Sequence, residues 1–129
     1  MFLLKRIFPA LVLVALVVGC TTPSITNLTP SRLPRKDNGL YAFEAEWSSR
    51  QQSLVKESMK GYVVVGVEHY EMQRVPMLTN RWETLVPIPA DKNVLNYHYK
   101  FDYEYRAIPQ RRSDSATSKP YQLLILNPN

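Results

Sequence analysis

Leu95-Asn96-Tyr97-His98-Tyr99-Lys100-Phe101-Asp102-Tyr103-Glu104-Tyr105-Arg106-Ala107 decides the fold. Every second residue from Leu95 to Tyr105 is apolar or aromatic, and the residues between them are polar or charged. A helix turns about 100° per residue and would smear that division around its circumference. A strand keeps it, one face packed and the other wet. The segment is therefore expected to be one long strand. Thirteen residues at about 3.3 Å each span roughly 43 Å, more than a small domain needs. Either the strand is bulged or one end projects. A projecting end would expose Tyr97 or Tyr105, which are candidate contacts for a protein partner or a glycan. Tyr70 is a third candidate.

Working outward, the same period-two pattern recurs. Tyr41, Phe43, Ala45 and Trp47 alternate with Glu44 and Glu46. Tyr62-Val63-Val64-Val65-Gly66-Val67 is apolar and β-branched throughout, as in a central strand covered on both faces. Gly66 there suggests a bulge or a close backbone approach. His69 to Met77, Trp82 to Ile88 and Tyr121 to Leu126 are further strands, and Ile25 to Thr29 is a short one. Leu54 to Lys60 fits either a helical turn or an edge strand. Pro30 to Gly39 and Pro109 to Lys119 read as loops. About seven strands, no long helix and no repeat predict an all-β, immunoglobulin-like or fibronectin-like antiparallel β-sandwich over residues 25–127. A small closed barrel is the alternative.

The N-terminus carries a different signal. Lys5 and Arg6 precede an apolar run from Ile7 to Val18, and Gly19-Cys20 closes it. The run is about a dozen residues, against roughly 20 for a spanning helix, and has the layout of a secretory signal peptide over 1–19. Val17-Val18-Gly19-Cys20 resembles the lipobox of bacterial lipoproteins, although Val17 stands where that family prefers leucine. The resemblance implies that the Cys20 thiol receives diacylglycerol, that cleavage precedes Cys20, and that the new amino terminus is acylated. Residues 20–24 then form the lipidated terminus and tether, and the membrane becomes the first partner. In a two-membrane organism Thr21, in place of the aspartate typical of inner-membrane retention, implies the periplasmic face of the outer membrane. Cys20 is also the single cysteine of the chain, so it has no intramolecular disulfide partner.

A second resemblance lies in residues 62–105, about a third of the chain. A valine-rich strand ends in Gly66; Met72, Val75-Pro76-Met77, Trp82-Glu83, Val86-Pro87-Ile88-Pro89 and Tyr99-Lys100-Phe101-Asp102 follow. The order is similar to the early-set immunoglobulin-like modules that include glycogen- and starch-binding domains. It implies the sandwich fold, with Trp82 in the core. The aromatic-asparagine-tryptophan loop with which those modules stack on sugars is replaced by Val67-Glu68-His69-Tyr70. Tyr103 follows Asp102 where they place an aspartate-glycine turn.

Chemistry is sparsely represented. Of 16 lysines and arginines, two lie in 1–19, leaving 14 against 11 acidic residues. That small positive excess does not point to nucleic acid. Arg32, Arg35 and Lys36, expected near the anchored end, and Arg111 and Arg112 could meet anionic headgroups. There are two histidines. Strand alternation would put His69 and Glu71 on one face as a minimal metal pair, although a solvated polar face is the simpler account. With the lone thiol committed to lipid and no nucleophile beside a base, neither an enzyme nor a cofactor is expected. The expected role is a lipid-anchored, non-enzymatic envelope protein acting through structure or protein contacts. The alternative is binding of a glycan, either polysaccharide or peptidoglycan.

Overall fold

The computed structural model describes residues 23–128. The expected signal peptide and Cys20 lie outside the described residues. Among the described residues the secondary structure is all β, in ten strands: β1 (Ser24–Asn27), β2 (Arg32–Pro34), β3 (Leu40–Ser48), β4 (Leu54–Val65), β5 (Glu68–Glu71), β6 (Gln73–Arg74), β7 (Arg81–Pro87), β8 (Val94–Tyr105), β9 (Arg112–Thr117) and β10 (Tyr121–Leu126). They form two sheets, ordered β1-β3-β7-β6 and β2-β10-β8-β4-β5, with β9 also pairing β8. Every pairing is antiparallel except β2 with β10, which is parallel. The sheets pack face to face as a sandwich.

The alternating segments supply the core. Tyr41, Phe43, Ala45 and Trp47 of β3 are buried against Leu95, Tyr97, Tyr99, Phe101 and Tyr103 of β8, with Trp82 and Val86 of β7 and Val63 of β4 between them. The contacts are aromatic. Phe43 meets Tyr97 edge to face at 4.8 Å, and Phe101 lies 5.1 Å from Trp47 and 5.6 Å from Trp82. Rings of this size bury about 150–250 Å² each, so a domain of this length can fill a core with few of them.

The excess length of β8 is absorbed by its neighbours, not by β8. On one edge the register with β4 runs Leu54↔Tyr105 and Val55↔Glu104, then resumes at Lys60↔Asp102. Residues 56–59 therefore oppose Tyr103 alone. Ser58 fills the gap in the ladder: its hydroxyl donates to the Val55 carbonyl (2.6 Å) and accepts the Glu104 N–H (2.8 Å). This local turn inside a strand explains why Leu54 to Lys60 fits two patterns. On the other edge β10 covers Val94 to Tyr97 and β9 covers Lys100 to Tyr105. Between them Ser118 closes both backbone groups of Tyr99: its hydroxyl accepts the Tyr99 N–H and its N–H donates to the Tyr99 carbonyl, each at 2.9 Å.

Three expectations are corrected. Short strands β2 and β9 lie inside segments read as loops, because backbone pairing there is recruited by β10 and β8 and not by any apolar pattern of their own. The segment from His69 to Met77 is two strands in different sheets, hinged at buried Met72. Gly66 is not a bulge. Val65 pairs with Glu68, so Gly66 and Val67 form a tight turn, and Gly66 takes φ +59°, which a side chain would resist.

Candidate functional site

The tyrosine stripe of β8 divides into a buried polar cluster and a half-exposed end. Tyr97 is only 2% exposed and Tyr99 is fully buried. Tyr97 is therefore in the core, and the expectation that it projects is corrected: β10 and the loop after β1 cover that end of β8. A buried hydroxyl needs partners, and β1 provides them. The Tyr99 hydroxyl donates to Asn27 Oδ1 (2.6 Å), which also accepts the Thr29 N–H (3.1 Å). Asn27 Nδ2 donates to the Tyr97 oxygen (2.9 Å). Thr29 Oγ1 accepts the Glu44 N–H (2.9 Å) and lies 2.8 Å from the Tyr99 oxygen, to which it can donate since the Tyr99 proton is spent on Asn27. The Tyr99 and Thr29 hydroxyl protons thus each have an acceptor within the cluster. Asn27 and Thr29 carry no sign of this role in sequence, because Ile25 to Thr29 is too short a run to show which of its residues face inward.

Burial raises the pKa of both tyrosines above the ordinary value near 10, and the Asn27 and Thr29 hydrogen bonds offset this only in part. These phenols are thus poorer acids than free tyrosine and have no proton chemistry near neutral pH. The consequence is for stability. Below pH 10 both states keep the phenolic protons and nothing changes. Above it the unfolded chain ionises before the fold does, so stability falls as pH rises. Denaturant midpoints measured from pH 8 to 11 should be flat up to pH 10 and drop beyond it. Tyrosinate absorbance from Tyr99 should appear together with unfolding. Its appearance in the intact fold would contradict this account.

The other sequence candidates are dispersed. Tyr105 is half-buried at the opposite end of β8, between Leu54 and Arg112 in the ladder. Tyr70 on β5 is half-buried beside Val63 and packs on the core. His69 and Glu71 share the outer face of β5 and are both exposed; the imidazole lies edge-on to Tyr62 at 6.1 Å. Among the described residues no cluster of three metal-ligating side chains occurs. The outer face of β8 carries the Lys100–Asp102 ion pair (3.6 Å) above a groove walled by Ser58, Ser113 and Ser115.

The end of the sandwich that bears Ser24 has its own composition. Ser24 opposes Ser48, the Trp47 N–H donates to the Asn80 carbonyl, and the Arg106 N–H donates to the Ser53 carbonyl. These pairings gather the loops 49–53, 75–80 and 106–111 at the end where the N-terminal segment enters. Arg35 and Lys36 lie at the other end: Arg35 donates to the Lys92 carbonyl and to Asn93 Oδ1, just before β8 begins. The expectation that they sit near the anchored end is therefore corrected. β1 and β2 run the length of the sandwich and carry them away from it.

No family model matches this chain, and a search of curated proteins finds no match.

Proposed function

We propose that the chain is a lipid-anchored protein of the bacterial cell envelope whose folded part is an immunoglobulin-like module with a non-enzymatic role in structure or protein contact. One observation carries the reading. The lipobox-like Val17-Val18-Gly19-Cys20 stands only four residues before Ser24, where β1 begins. A signal, an acylatable thiol and a brief tether thus lead directly into a domain. Two acyl chains or more on Cys20 give stable anchoring, where one gives only marginal binding.

The immunoglobulin-like assignment is supported by strand order. Taking β1, β3, β7 and β6 as A, B, E and D, and β10, β8, β4 and β5 as G, F, C and C′, reproduces the two sheets of that fold, with β2 in the A′ place beside G. The non-enzymatic role rests on the commitment of the single thiol to lipid and on the phenols that burial makes poorer acids. Glycan binding has weaker support, since the tyrosines that could have stacked on sugar rings are mostly turned into the core.

Replacing Cys20 is the direct test. In bacteria producing the full chain, Cys20→Ala should abolish acylation and cleavage, leaving an uncleaved precursor, while the parent protein partitions into detergent as a mature lipoprotein. A Cys20→Ala protein that is still cut to the same mature length and still partitions with detergent would refute the anchor.

A further inference from the structure

Packing does not account for the anchor end of the sandwich. Two of its three loops carry apolar tips that stand in solvent: Met77 is 101% exposed, Leu78 48% and Ile108 96%. Met77 also holds φ +65°, a left-handed conformation that an unbranched L side chain adopts at a cost, and no contact made by its side chain compensates for it. A glycine would serve the turn better. The turn therefore presents a methionine outward where folding alone gives no reason to.

The charge around these tips has one sign. Residues 49–53, 74–81 and 106–112 contain Arg50, Arg74, Arg81, Arg106, Arg111 and Arg112 and no aspartate or glutamate. Strand carboxylates answer two of the six: Glu44 pairs with Arg81 at 3.3 Å and Glu104 with Arg111 at 3.7 Å. At the other end the exposed Val67 has Glu68 beside it, and Asp37 and Asp91 interleave with Arg35, Lys36 and Lys92. Among the described residues, loops that carry exposed apolar tips and arginines but no carboxylate of their own occur at the end bearing Ser24, although Arg74 lies over the Trp82 ring and two other arginines meet strand glutamates. Such loops suit an anionic headgroup layer, with the tips reaching the acyl boundary.

Chain length supplies the placement. Four residues from Cys20 to Ser24 reach at most about 14 Å, so a lipidated Cys20 holds these loops against the bilayer. We propose that the loops carrying Met77, Leu78 and Ile108 form a second membrane contact, inserting into the anionic surface around the anchor and standing the sandwich end-on to it. This inference rests on the reading of Cys20 as the acylated residue.

The test uses the mature lipoprotein purified from bacterial membranes and reconstituted in vesicles of phosphatidylethanolamine and phosphatidylglycerol. Acylation blocks the only native thiol, so Met77→Cys, Ile108→Cys and Val67→Cys each offer a single site for an environment-sensitive fluorophore. Labels at positions 77 and 108 should shift to the blue and be quenched by lipids spin-labelled near the headgroup, while the label at 67 stays aqueous. Arg50→Gln, Arg106→Gln and Arg112→Gln together should reduce that quenching. Labels at 77 and 108 as aqueous as the label at 67, on a chain whose mass shows acylated Cys20, would overturn the second contact and leave the anchor standing. Burial of those labels only after a protein extract is added would overturn it in favour of a protein partner. A mass showing unmodified Cys20 would remove the anchor, and this inference with it.

Discussion

Gly61→Ala is expected to destabilise the fold by about 2 kcal/mol, although it adds only one methyl group to a strand. Gly61 on β4 lies directly opposite Phe101 on β8, and the ring covers the glycine. A Cβ at position 61 would sit 2.6 Å from the Phe101 ring edge and 3.1–3.2 Å from two more ring atoms. The ring cannot swing aside, because it is fully buried and wedged between Trp47 and Trp82. Two effects compete. Alanine relieves the backbone entropy that glycine loses, a gain of about 0.5–1 kcal/mol, while overpacking a filled core costs about 1–3 kcal/mol or somewhat more. The clash wins because the 2.6 Å contact is below any that real Cβ atoms tolerate. For a domain of this size the melting temperature should fall by about 10 °C. Phe101→Leu removes the ring and opens space, so the double variant should cost less than the two single ones summed. A Gly61→Ala protein that melts with the parent would show that the ring has room to move.

Asn27→Ala should cost a similar amount, about 2–3 kcal/mol, by a different mechanism. Asn27 accepts from Tyr99 and Thr29 and donates to Tyr97, so its loss strips three partially or fully buried groups at once. Each stranded group costs about 1–3 kcal/mol. The Glu44 carbonyl, 3.1 Å from the Tyr99 hydroxyl, offers that one proton a second acceptor and limits the total. The loss should be local before it is global. β1 has only four residues in its ladder with β3, and this cluster is what ties it to β8 across the sandwich. Hydrogen exchange should therefore accelerate in β1 well before β3 and β8. Adding Tyr99→Phe removes an orphaned partner, and the double variant should fall short of additivity. Unchanged exchange in β1 would show that pairing with β3 suffices to hold it. The prediction bears on function because β1 is the strand through which a lipid tether would pull on the domain.

These two sites show how unequally the molecule can be read from its residues. The alternations around Tyr41 to Trp47 and Leu95 to Tyr105 depend on the intrinsic two-residue period of a strand, so burial of their aromatic faces follows from order alone. Gly61 carries no such message, since a lone glycine in a strand is compatible with a bulge, an edge or a bare ring contact. Asn27 and Thr29 look like ordinary polar residues of a short strand until Tyr97 and Tyr99, some seventy positions later, are laid beside them. The loops at the Ser24 end are hard to read for the opposite reason. Met77, Leu78 and Ile108 are residue types normally counted toward the core, and only the backbone path reveals that they point into solvent.

The sequence by itself determined that this is an all-β chain with one wet and one packed face to its longest strand. It also held the signal-like leader and the lone Cys20, because such signals are local and need no partner to be recognised. Tertiary structure alone decided which tyrosines are hidden, where β8 sheds its excess length into its neighbours, and which basic loops share an end with Ser24. Those depend on register between strands far apart in the chain. A one-residue slip there reverses a face, and no local pattern records it.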